Sequence, residues 1–150
     1  MESTMVTLNR LISGAFNDMS RSEQLAIKAS GFEDVSVNEA HTVDAIGAYV
    51  PKTMSAVAEK LDITMGTLTV AINHLVKKGY VYKARNDKDK RVFMLSLTDK
   101  GRELFKAHQK FHFELVKSLI MDLSDYEADM FIEALSSLNQ FLKRRVSLNY

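Results

Sequence analysis

The stretch from Thr53 to Gly101 admits few folds. Apolar residues recur at helical spacing over Met54, Val57, Ala58 and Leu61, and again over Leu68, Ala71, Ile72, Leu75 and Val76. Thr53 and Thr64 stand where helix N-caps belong, Asp62-Ile63 makes a tight turn between the two helices, and Gly79 ends the second. From Tyr80 to Arg85 and from Val92 to Leu97 the pattern changes to strands. Phe93, Leu95 and Leu97 fall on one face there, and Val92, Met94 and Ser96 on the other. The loop between, Asn86-Asp87-Lys88-Asp89-Lys90-Arg91, alternates in charge. Two helices at a tight turn followed by a basic hairpin predict a winged helix-turn-helix. Such a unit lays its second helix in a DNA major groove and its ribbon tip on the neighbouring backbone.

The rest of the chain reads as helices around this unit. A first helix over about Thr4 to Ser30 stops at Gly31. Its stripe is Leu8, Ile12, Ala15, Met19 and Ala26, flanked by Met5, Leu11 and Phe16. That helix is long for a small domain, which points to burial of part of its apolar face against another subunit. Ser36 and Glu39 have capping-box spacing, so a second helix is expected from Ser36 to about Tyr49, ahead of Pro51. Lys52 is placed in a short third strand beside the hairpin. Thr98-Asp99 opens a fifth helix reaching about Met121, apolar on several sides and so expected to be buried on several sides. Ser124 and Glu127 form a second capping box ahead of a last helix striped by Ala128, Phe131, Leu135, Leu138 and Leu142. The expected fold class is mainly α with a small β-hairpin wing.

Composition narrows the function. The chain of 150 residues suggests one domain, and without cysteine it has neither disulfides nor thiolate chemistry. No apolar run approaches a membrane span and no secretory signal is visible, so a cytoplasmic protein without a membrane partner is expected. Formal net charge is only +1, but the segment from Lys77 to Arg102 holds nine Lys or Arg and three Asp. A positive block on the hairpin and the helix before it suits phosphate. An enzyme is not expected. The sequence offers no Ser-His-Asp or Cys-His set, no phosphate-cradling glycine loop and no dense carboxylate pair.

The candidate DNA-binding residues follow from this placement. On the fourth helix they are Thr64, Gly66, Thr67, Thr69, Asn73 and Lys77. Small residues allow close approach, hydroxyls bond phosphates or bases, and the helix start favours a phosphate. At the hairpin tip they are Lys88, Asp89, Lys90 and Arg91, with Asp89 expected to hold the Arg91 guanidinium extended toward a narrow minor groove. His108 and His112 have the i, i+4 spacing of metal ligands. No flanking Glu or Asp makes a compact set with them, so packing is the favoured reading, and neither a metal nor another cofactor is expected.

The chain resembles the MarR family of bacterial transcription regulators. Asp89-Lys90-Arg91, Leu97-Thr98 and Gly101 follow that family's D-x-R…L-T-x-x-G spacing, and Leu75-Val76-Lys77-Lys78-Gly79-Tyr80-Val81 resembles its recognition helix running into the first wing strand. The resemblance implies one MarR-like domain over 1–150. Residues 1–35 and 99–150 would supply dimerisation helices and 36–98 the DNA-binding lobe. It also implies a homodimer that binds a pseudo-palindromic operator in double-stranded DNA.

Three stretches, Ala40–Gly47, Thr64–Thr69 and Lys110–His112, resemble the fatty-acid synthesis repressors of that family. This implies a repressor of type II fatty-acid synthesis genes with long-chain acyl-acyl carrier protein as co-repressor. Phe16, Met19, His41, Ile46, Phe105, His108, Phe111 and Phe113 would then line an apolar tunnel. The competing explanation is plain dimer core, the usual place of methionines and aromatics at helical spacing. The alternative function is a repressor of the same family released from DNA by an aromatic or drug-like ligand.

Overall fold

The computed structural model describes residues 1–147. In chain order it comprises α1 (Glu2–Ala29), α2 (Val37–Ile46), β1 (Lys52–Thr53), α3 (Met54–Leu61), α4 (Met65–Lys77), β2 (Val81–Arg85), β3 (Phe93–Leu97), α5 (Asp99–Ile120) and α6 (Asp125–Ser147). Two compact units are distinguished, Met1–Phe111 and His112–Tyr150. No helix among the described residues is long and apolar enough to cross a membrane.

Short polar side chains start α2, α3 and α4. The Ser36 hydroxyl accepts from Glu39 N at 3.2 Å, and Glu39 Oε2 accepts from Ser36 N at 2.9 Å, closing the capping box. The Thr53 and Thr64 hydroxyls accept from Ala56 N and Thr67 N at 3.1 and 3.2 Å. Asp62, at φ 53° and ψ 48°, turns the chain between α3 and α4. An aspartate tolerates that left-handed geometry better than most side chains. α2 ends at Ile46, not near Tyr49 as the sequence suggests. Gly47 adopts φ 79°, which costs a residue without Cβ little, and the helix stops well before Pro51.

The three strands form one antiparallel sheet in the order β1-β3-β2, with Lys52 opposite Leu95, Val81 opposite Leu97 and Arg85 opposite Phe93. Its inner face joins α2, α3 and α4 around Val43, Ile46, Val57, Leu68, Ile72, Leu75, Tyr80, Leu95 and Leu104, all fully buried. Leu68, Ile72 and Leu75 keep i, i+4, i+7 spacing on α4. Val76, expected on that face, is 40% exposed because it sits one residue, about 100° of helical rotation, beyond Leu75.

The sharpest packing lies where β3 returns to α5. Thr98 N donates to Tyr80 O at 3.0 Å, and the Thr98 hydroxyl donates to Gly79 O at 2.7 Å while accepting from Gly101 N at 3.0 Å. A Cβ at Gly101 would stand 2.1 Å from Tyr80 O and 3.2 Å from Leu97 Cβ. Glycine is required here by approach of backbone to backbone, with no unusual φ involved.

Long apolar faces are exposed among the described residues. On α1, Leu8, Leu11 and Phe16 are 52%, 55% and 54% exposed, and burial begins only at Glu23 and Ile27. The later turns of α5 also carry exposed Val116, Leu119 and Ile120, against the expectation that its several apolar sides are buried. In the second unit a capping box starts α6, with Ser124 N donating to Glu127 Oε2 at 2.9 Å. Phe131, Leu135 and Leu142 along that helix are exposed.

Replacing Gly101 with alanine is expected to cost about 2 kcal/mol or more, as overpacking against fixed backbone does. Urea unfolding should show a lower midpoint at unchanged slope. A midpoint equal to that of the unaltered protein would mean that the junction relaxes freely.

Candidate nucleic-acid interface

The outer face of α4 runs through Gly66, Val70, Asn73 and Lys77, the side away from Leu68, Ile72 and Leu75. Thr64, Gly66, Thr67, Asn73 and Lys77 are exposed and Thr69 is half-buried. Their hydroxyls are already partly committed. Thr64 caps the helix and shares a 3.0 Å hydroxyl–hydroxyl bond with Thr67. Thr69 donates to Met65 O at 2.7 Å, so its remaining lone pairs face outward as acceptors. Thr67 is therefore the hydroxyl best able to reorient toward a ligand. The first turn holds no acidic residue, and the N–H groups of Met65 and Gly66 have no acceptor inside the helix. That end is suited to an anion. Met65 and Val70, 45% and 57% exposed, add apolar surface to the same end.

The wing tip is shaped by short side chains. Asn86 Oδ1 accepts from Lys88 N at 2.8 Å and Asp89 N at 3.2 Å, folding the loop on itself. Asp89 Oδ1 accepts from Arg91 N at 3.0 Å and Arg91 Nε at 3.3 Å. The guanidinium is thereby aimed outward, with the Arg91 side chain 92% exposed. Lys90 Nζ lies 3.3 Å from Asp87 Oδ1, and Lys88 is exposed. The pair at Asp87 is too solvated to fix Lys90 strongly.

Two further cations belong to this surface. Lys83 Nζ and Arg85 Cζ each lie 4.7 Å from the Phe93 ring centroid, and Arg85 also donates to Lys90 O at 2.5 Å. Phe93 is thus a cross-strand platform that holds both charges against β2. Lys83 and Arg85 are absent from the candidates drawn from the sequence. The available signal is alternation, since in Val81–Arg85 the odd positions share a face and Arg85 falls opposite Phe93.

Other cations of the basic block are used inside the fold. Lys78 Nζ bonds both Glu39 oxygens, at 2.7 and 2.9 Å. Lys100 Nζ lies 4.1 Å from the Tyr80 ring centroid and 3.8 Å from Asp34. Arg102 donates to Leu97 O at 2.9 Å and to the Asp99 carboxylate. Tyr80 OH donates to Asp34 Oδ1 at 2.6 Å. Burial alone would raise the Glu39 carboxyl, but the bonds from Lys78 and Ser36 outweigh it and hold it below the usual range. The Tyr80 bond, aided by Lys100 and Lys78, likewise lowers Asp34. Burial and its acidic partners push the Tyr80 phenol up. These contacts dock the C-terminal end of α4 onto the start of α2.

The eight tunnel candidates differ in burial. Phe16, Met19 and Phe113 are exposed, Ile46 and His108 are buried, and His41, Phe105 and Phe111 are half-buried. Ile46 and Phe105 share a cleft of about 320 Å³ with Asp44, Lys52 and Gln109. His41 and His108 instead meet the buried Glu23, at 2.8 and 2.6 Å.

Comparisons with known proteins agree with this geometry. Residues 34–108 match the transcriptional regulator SarA/Rot family. The chain is 35% identical to Streptococcus pneumoniae FabT, solved in complex with DNA, covering 93% of this chain and 98% of that one at a TM-score of 0.86. The Staphylococcus aureus MepR–DNA complex shares the fold, with a TM-score of 0.70 at 22% identity over 91% of this chain and 96% of that one. The HTH-type transcriptional repressor YetL of Bacillus subtilis is 28% identical over 81 residues, 54% of this chain and 48% of the relative. The chain spans about half the length of the first curated relatives it matches.

Changing Arg91 to alanine should weaken binding to an operator. It should also flatten the plot of log affinity against log salt by about one for each phosphate left without its cation. Arg85 to alanine should do the same more weakly. Fluorescence anisotropy at several salt concentrations reads both, and an unchanged slope in Arg91→Ala would remove the wing tip from the interface.

Proposed function

Since this chain belongs to the MarR family of winged helix-turn-helix transcription regulators, which bind DNA, we propose that it is a dimeric repressor of type II fatty-acid synthesis genes, with long-chain acyl-acyl carrier protein as co-repressor. The observation that carries this reading is the 35% identity to FabT over nearly the whole of both chains. The stretches Ala40–Gly47, Thr64–Thr69 and Lys110–His112, which resemble fatty-acid synthesis repressors, support it.

In this reading Thr64, Gly66, Thr67, Thr69, Asn73 and Lys77 enter the major groove, and Lys88, Asp89, Lys90 and Arg91 form the wing's contact. Residues 1–35 and 99–150 serve dimerisation and 36–98 the DNA-binding lobe. The exposed apolar faces of α1 and α6 support a second copy as their partner, since leaving such faces in water is costly. Two recognition helices about one DNA turn apart then read the two halves of a pseudo-palindrome. An acyl chain lying among Phe16, Met19, His41, Ile46, Phe105, His108, Phe111 and Phe113 acts by binding one helix separation better than another. The cleft at Ile46 and Phe105 is a starting point for such a chain and is within the size range of ligand sites.

Titration of a labelled fatty-acid synthesis promoter with and without long-chain acyl-acyl carrier protein tests the proposal. Tightening by the acylated carrier, but not by the unacylated one, is the expected result. Promoter binding indifferent to the carrier would sink the co-repressor role and leave an aromatic or drug-like effector as the next candidate. Replacing Leu135 with aspartate should abolish the dimer, seen as a halved mass in sedimentation equilibrium. A stable dimer from that variant would remove α6 from the interface.

A further inference from the structure

Glu23 is 4% exposed on a helix whose residues 3–22 lie open to solvent. A carboxylate is an expensive group to bury, so its surroundings must repay it. One oxygen, Oε1, faces His41 Nε2 at 2.8 Å and His108 Nε2 at 2.6 Å. Along α5 no carboxylate flanks His108, and the sequence therefore argues against histidine ligands. Folding supplies a carboxylate from α1, together with a second imidazole from α2.

We propose that Glu23, His41 and His108 form a binding site for one divalent transition-metal ion, zinc by the character of its donors. Two imidazole nitrogens and one carboxylate oxygen make a known zinc ligand set. The three donor atoms lie within 4.8 Å of one another. Tetrahedral zinc at its usual bond lengths separates ligand atoms by roughly 3.3 Å, so a small outward swing of the side chains admits the ion. His41 has room for that swing, its side chain being 44% exposed, and it gives the ion a path from solvent.

The surroundings match as well. Asp44 Oδ1 lies 3.8 Å from His108 Nδ1, on the side of the ring away from Glu23. A carboxylate behind a ligating histidine orients the ring and leaves Nε2 as the metal-facing atom. Gln109 in turn donates to Asp44. The two carboxylates at the site, Glu23 and Asp44, match the charge of one divalent cation. The donors come from α1, α2 and α5, so the ion would tie those helices together. His41 is two residues from Glu39, whose bond to Lys78 docks the end of α4. Metal occupancy therefore bears on the placement of the recognition helix.

The rival is a hydrogen-bonded His–Glu–His set that needs no ion. Tag-free full-length protein, stripped with EDTA and dialysed, separates the two without DNA. It is titrated with Zn²⁺ in competition with a chromophoric chelator and with Co²⁺ by visible absorption. Expected are one ion per protomer, cobalt bands typical of a tetrahedral site, and roughly hundredfold weaker binding in His41→Ala with an unaltered circular dichroism spectrum. Asp44→Asn should weaken binding by about tenfold or more. Less than one ion per protomer, or His41→Ala binding as tightly as the unaltered protein, would overturn the site and leave the hydrogen-bonded set. Because His41 is partly exposed, that variant should fold even where Glu23→Gln or His108→Ala does not.

Discussion

The carbonyl of Tyr80 is the point on which the winged helix-turn-helix turns. It accepts from Thr98 N, and the space beyond it is so narrow that only a glycine fits at position 101. Through this contact the end of α4, the start of β2, the return of β3 and the first turn of α5 share one position. The wing springs from that point, so its angle to α4 is set by backbone contacts. Side chains at the tip then need only present charge. The Thr98 hydroxyl, bonded to Gly79 O and Gly101 N, closes the junction without leaving a buried donor unmet.

Electrostatics divide the basic block in two. Lys78, Lys100 and Arg102 face carboxylates, a ring or carbonyls and hold the lobe together. Lys77, Lys83, Arg85, Lys88, Lys90 and Arg91 remain at the surface around α4 and the wing. A near-neutral chain thus displays a basic face, while Glu39 and Glu127 serve as caps and Asp34 as a phenol acceptor. Local field, and not net charge, governs attraction to phosphate.

The buried polar groups join what the apolar core does not. Glu39 caps α2 and holds Lys78 of the α4 terminus with the same carboxylate. Glu23 links α1 to His41 and His108. Burial would raise its carboxyl, but the bonds to the two histidines outweigh that and hold it below the usual range. For His108 burial acts downward, and the bonds to Asp44 and Glu23 overcome it and raise the imidazole. Each group is a directional constraint between elements, where apolar packing allows sliding.

Much of the fold is legible in the residues alone. Caps at Ser36, Thr53, Thr64 and Ser124, the helical periods of α3 and α4, the strand alternation and the wing loop are all local signals, each set within a few residues. The exposed face of α4 and the charges of the wing loop follow from the same signals. The end of α2 at Gly47 is not, because Pro51 is the stronger stop in the sequence and a positive φ shows only once the chain has turned. The sequence by itself therefore determined the elements, their order and the class of partner, since propensity, capping and periodicity act over short spans. Tertiary structure alone decided which cations stay at the surface, why position 101 is glycine, that Phe93 carries Lys83 and Arg85, and that Glu23 meets two histidines. Those facts depend on contacts between residues as far apart as Glu23 and His108, and no local pattern encodes which distant groups will share a distance of 2.6 Å.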